Sequence, residues 1–167
     1  MHTWNDIIGV VRRQTMPSAA IVALIASLAS PALAEKTWDH TANVRTNAQR
    51  AADLQQAKGA LGTFEYISSC YKTHSLASEF GQAIEGCMVV DYIHSVSLAT
   101  VYARMTPAQR AETRVPDPEA LTNSMGQRLA ATFQQYKLPK ERFEAFGKLV
   151  EAEGLPAYSK ARFKTGE

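Results

Sequence analysis

Apolar residues recur at spacings of three and four along most of this chain, and no run between turn signals alternates as a half-buried strand does. That periodicity restricts the chain to an all-α fold. The first stripe runs through Val44, Ala48, Ala51, Leu54, Ala57, Leu61, Phe64, Ile67 and Tyr71. Gly59 and Gly62 interrupt it, each costing about 1 kcal/mol relative to alanine, so the helix is expected to break there. Residues 35–58 carry few large apolar groups and read as a helical or partly flexible N-terminal arm, exposed beside a packed segment. Ala83 to Met105 is the most apolar run after the N-terminal region and reads as the central helix. Ile84, Met88, Val89, Val90, Ile93, Val96, Leu98, Val101 and Tyr102 surround it, which calls for neighbours on several sides.

Punctuation fixes the remaining elements. Thr106-Pro107-Ala108-Gln109 carries an N-cap, a proline at the first helical position and a reciprocal glutamine, and starts a short helix. Val115-Pro116-Asp117-Pro118 is a rigid connector, and Asp117 opens the stripe Leu121, Met125, Leu129, Phe133, Tyr136. Leu138-Pro139 breaks that helix, and Lys140 to Glu153 turns Phe143, Phe146, Leu149 and Val150 inward before Gly154 and Pro156, which are expected to stop it. Short connections place neighbouring helices antiparallel, giving a compact bundle of four to five helices over residues 59–156, followed by a basic tail over 157–167 with Lys160, Arg162 and Lys164.

The first 34 residues have a different layout: Arg12-Arg13, an apolar run from Ala19 to Leu28, then Pro31-Ala32-Leu33-Ala34. This is the three-part order of a secretory signal peptide, with cleavage expected after Ala34 and a periplasmic destination. Ile21 to Leu33 is too short for a ~30 Å hydrocarbon core, which takes about 20 apolar residues. Asp91 and His94 stand in the middle of the central helix, so no stable membrane span is expected after cleavage. About 130 residues would remain, enough for one core. Both cysteines, Cys70 and Cys87, fall in that exported part, and an even count in an oxidising compartment favours a disulfide. It would close a loop of about 18 residues and contribute about 3 kcal/mol on the chain-entropy account. Their spacing fits neither Cys-x-x-Cys nor a zinc motif, and no histidine is expected within reach of both, so no metal site follows.

Charge and motifs narrow the function classes. The whole chain carries +2, and the exported part about +1, a balance that disfavours nucleic acid. Glycine-rich phosphate loops and Cys-x-x-Cys-His haem attachment do not occur, so no cofactor is expected. Asp91 and His94, three apart with Ser95 beside them, suggest a carboxylate orienting an imidazole that activates a serine. All three share one helix, and no Gly-x-Ser-x-Gly elbow exists. They read as a buried polar pair with a neighbouring hydroxyl, and the chain as a non-enzyme.

A helix ending at Cys70, Cys87 followed by Asp91-Tyr92-Ile93-His94-Ser95-Val96, then Val115-Pro116, a helix to Tyr136, and Pro139-Lys140-Glu141-Arg142-Phe143 leading to Leu149-Val150 and Pro156 form a recognisable order. It resembles the Tai-type immunity proteins of type VI secretion over roughly residues 61–156. The family's second disulfide is missing, since Arg114 and Ala157 stand where its cysteines fall, and Ser95 replaces a glycine. The resemblance implies a periplasmic helical protein that neutralises a peptidoglycan amidase by occluding its cleft. On that reading the polar, disulfide-tethered stretch from Tyr71 to Phe80 is the partner-binding segment, with Tyr71, His74 and Phe80 as anchors. The alternative is a structural or stress-related envelope protein, a monomer or weak homodimer, whose helices associate through residues 35–58 as a docking arm.

Overall fold

In the computed structural model, which describes residues 38–163, the chain enters its first helix at Asp39, whose carboxylate accepts from the Ala42 amide at 2.9 Å. Residues 1–34, where a signal peptide is expected, and the last residues of the tail, Lys164 among them, lie outside the described residues. Helix α1 spans His40–His74, 35 residues. Were it straight, Arg50 and Tyr66 would stand about 24 Å apart along the axis. Instead Arg50 Nη1 donates to the Tyr66 hydroxyl at 3.2 Å. Asn43, Asn47 and Arg50 line one groove together with Tyr66, Cys70 and His74. The helix therefore doubles back about its middle. Gly59 makes the turn with φ 67° and ψ −169°, a conformation almost closed to residues with a Cβ.

The break expected at the glycines is thus present at Gly59, but the segment before it is no exposed arm. Val44, Ala48, Ala51 and Ala52 are fully buried. Alanines permit this, because short side chains let the first limb of α1 lie close against its neighbours, and the docking arm of the alternative reading is part of the core. Gly59→Ala is expected to destabilise the fold by about 1–3 kcal/mol through backbone strain alone, since a Cβ there would meet nothing within 4 Å. Gly126→Ala, also in open space but at ordinary helical φ, should be neutral or stabilising by up to about 1 kcal/mol. Urea denaturation of the two variants separates strain from crowding.

Helix α2, Gln82–Tyr102, runs through the centre, as its all-round apolarity requires, and packs against α1 and α4. It is long and apolar enough to cross a membrane by length and composition, but most of it is buried among the other helices. Ile84, Met88, Val89, Val90 and Ile93 form the middle of the core. The Cys70–Cys87 bridge is present, joining the second limb of α1 to α2 with Cα atoms 5.7 Å apart. Beside it α1 and α2 touch: a Cβ on Gly86 would fall 2.7 Å from Asn47 Nδ2. That amide is held in place by the backbone and side-chain oxygens of Asn43, each at 2.9 Å. Gly86→Ala should therefore cost about 1–3 kcal/mol by overpacking, read as a lowered denaturation midpoint.

The expected capping box opens α3, Pro107–Thr113, which buries no side chain. Asp117 caps α4, Pro118–Gln135, which packs on α2 and buries Met125, Leu129 and Phe133. Helix α5, Lys140–Leu149, does not stop at Gly154 and Pro156. It passes through a π turn, Val150–Gly154, into α6, Leu155–Arg162, with Gly154 itself helical. The Leu155 amide reaches back five residues to the Val150 carbonyl, and this wider turn relieves the collision a proline makes with the carbonyl four residues earlier. The basic tail up to Arg162 is accordingly a packed helix, with Tyr158 buried against α1.

Candidate functional site

Between α1 and α2, residues 75–81 present an apolar side chain to solvent on an anchored frame. Leu76 is 86% exposed. On the α1 side, Gln135 Nε2 donates to the Ser75 carbonyl at 2.6 Å and the Tyr136 hydroxyl to the His74 carbonyl at 3.2 Å, so α4 clamps the backbone just before Leu76. On the α2 side, Phe80 is inserted among Trp38, Phe133 and Tyr136, with ring centroids 5.6–5.9 Å away. The disulfide ties the helices that flank the turn. The result is a short loop with little conformational freedom left to lose on binding.

Two of the three residues expected to meet a partner serve this frame instead. Phe80 is buried and acts as the plug that seats the loop. Tyr71 turns inward and donates to Asp91 Oδ2 at 3.2 Å. Burial first, and then the neighbouring Asp91 charge and hydrogen bond, raise its phenol well above the usual range. His74, like Tyr71, remains partly exposed, and it stands at the edge of an open groove of about 360 Å³ whose lining includes the buried disulfide. The sequence signal for Leu76 is its standing as the single large aliphatic residue in the polar run from Lys72 to Glu79.

In the middle of α2, Asp91 is buried at 1% exposure and binds Arg128 through Nε at 2.9 Å and Nη2 at 2.7 Å. It also accepts from Ser95 at 3.2 Å. The hydrogen bond to Asp91 holds the Arg128 guanidinium more firmly charged than usual. His94 is buried as expected, but no hydrogen bond joins it to Asp91. Its Nδ1 faces Gln55 Nε2 at 3.2 Å, which assigns the ring proton to Nε2. Gln55 in turn donates to Ser97 Oγ at 3.0 Å and accepts from Tyr158 at 2.5 Å. Asp91, His94 and Ser95 thus belong to two separate structural networks and do not form a relay, because the serine donates to the aspartate and the histidine faces an amide.

Burial lowers His94 below the ordinary histidine value, outweighing the attraction of Asp91. The unfolded chain therefore takes up a proton near pH 6.5 that the fold resists. His94 contributes stability that is complete above that pH and lost as pH falls toward its depressed folded value. The melting temperature is expected to fall between about pH 7 and pH 5, with a shallower fall in His94→Gln.

A second buried carboxylate, Glu85, sits at the start of α2 and accepts from Trp38 Nε1 at 2.6 Å, Asn43 Nδ2 at 2.8 Å and His40 Nδ1 at 2.6 Å. Arg142 donates to the other nitrogen of His40 at 2.9 Å, which places the ring proton on Nδ1. With both nitrogens engaged, His40 is a strut that fastens the start of α1 to α2 and α5. None of these partners has a periodic sequence signal, since Glu85 and Arg128 read only as charges within apolar stripes. No protein family, curated protein or solved structure matches this chain.

Proposed function

We propose that this is a periplasmic, non-catalytic protein that binds and inhibits a protein partner, a secreted cell-wall amidase, by inserting Leu76 and the turn around it into the partner's cleft. The observation that carries the reading is the combination of an exposed aliphatic tip with fixed flanks: Leu76 protrudes while Ser75, His74 and Phe80 are each held from α4 or the aromatic cluster. Inhibitors that work by occlusion need this form, because an anchor already held in its bound posture binds with less entropic loss. The resemblance to immunity proteins supplies the class of partner. A polar surround, with Lys72, Glu79 and Gln135 nearby in the chain or structure, gives the rim that such an anchor requires.

Capture from a cell-envelope extract tests this reading. The immobilised protein is expected to retain a cell-wall amidase, and Leu76→Arg to lose it while keeping the native circular dichroism spectrum. Val101→Arg, at an exposed apolar residue on α2, is the control and should retain the amidase. Retention by Leu76→Arg, or recovery of the protein's own copies alone, sinks the proposal.

A further inference from the structure

Cys70 and His74 stand four residues apart on the second limb of α1, one helical turn, so their side chains share a face. Cys87 meets them from α2. One ligand atom from each residue, two sulfurs and an imidazole nitrogen, all lie within 4.8 Å of one another. This corrects the expectation that no histidine lies within reach of both cysteines: one helical turn puts His74 on the face of Cys70, and α2 brings Cys87 to the same point. The cluster lines a groove of about 360 Å³ together with Tyr66 and Arg50, His74 being partly exposed and the two cysteines buried. His74 is further fixed by the clamp on its carbonyl from Tyr136.

We propose that reduction of the bridge by a dithiol converts this cluster into a zinc site, in which Cys70, Cys87 and His74 hold one Zn²⁺ and a water from the groove takes the fourth position. The dithiol gives up two electrons and two protons and becomes a disulfide, leaving Cys70 and Cys87 as thiols. Each thiol then loses its proton as its sulfur binds the metal, and zinc itself undergoes no redox change. Two thiolates and an imidazole match the ligand preference of zinc, and their summed charge cancels that of the ion. The cysteine backbones already stand 5.7 Å apart, so two Zn–S bonds of about 2.3 Å span the gap with only rotation of the side chains. The metal would then join the same two helices as the disulfide, keeping the α1–α2 turn in place under reducing conditions. This inference is independent of the partner proposed above.

The test is zinc titration of the full-length protein after treatment with dithiothreitol and its anaerobic removal, against a competing chelator, with Co²⁺ as a spectroscopic substitute. The reduced protein is expected to bind one equivalent and to show sulfur-to-cobalt charge transfer in the near ultraviolet. The oxidised protein should show neither. His74→Ala, first shown to fold normally in its oxidised form, should bind more than about tenfold more weakly once reduced. Should reduction unfold the chain, zinc must restore the helical spectrum of the wild type at concentrations that leave reduced His74→Ala unfolded. Equal binding by the oxidised protein, unchanged affinity in His74→Ala, or a reduced chain that neither binds nor refolds with zinc overturns the proposal.

Discussion

Arg128→Met is expected to lower the unfolding free energy by about 3 kcal/mol, the lower end of the range for breaking a buried ion pair. The lower end applies because the Arg128 side chain is itself 37% exposed. Its partner is the vulnerable member. Asp91 is 1% exposed and keeps only the Tyr71 and Ser95 hydroxyls once the guanidinium is gone. A carboxylate stranded there must stay ionised in a poor environment or take up a proton, and either course costs stability. Adding Asp91→Asn to Arg128→Met removes the stranded charge and should recover more than half of the loss. Denaturant titrations of the two single variants and the double variant form a cycle. A coupling energy near zero would mean that Asp91 and Arg128 act separately, contrary to the bidentate contact.

Replacement of both cysteines by alanine is the second large effect, with an expected loss of about 3 kcal/mol, a substantial part of the 5–15 kcal/mol that typically separates a small folded domain from its unfolded chain. The loss should be local as well as global. The bridge ties α1 to α2 on either side of residues 75–81, so hydrogen exchange in that turn should accelerate more than in α4. The clamps from Gln135 and Tyr136 remain in the variant and limit how far the turn opens. Uniform acceleration across the fold would show that the bridge acts on the unfolded chain alone and does not brace the turn.

How much of this was legible in the chain follows from the kind of signal each feature leaves. The central helix, the cap at Asp117 and the pairing of Cys70 with Cys87 rest on local periodicity, local hydrogen bonding or an even cysteine count, and all are present. The first limb departs from the expected exposed arm because its core residues are Val44, Ala48, Ala51 and Ala52. Counting large apolar side chains undervalues a limb whose contribution is close approach. Gly154-Leu155-Pro156 looked like a stop, since the turn that accommodates the proline is a rare π geometry with no composition of its own. Arg128 gave no sign of its partner, because a charged residue on the edge of an amphipathic helix is the ordinary case. Tyr71 and Phe80 lie in the tethered stretch, yet position along the chain does not say which way a side chain turns, and both reach inward.

The claim that the braced turn is an inhibitory element is tested most directly by titrating the purified protein into a solution of the captured amidase while following the clearance of peptidoglycan. Wild type is expected to abolish clearance near one molar equivalent. Leu76→Arg should need more than about 30-fold higher concentration, as befits loss of a central anchor worth at least 2 kcal/mol. Clearance that continues at saturating wild type, or inhibition that survives Leu76→Arg unchanged, would contradict the account.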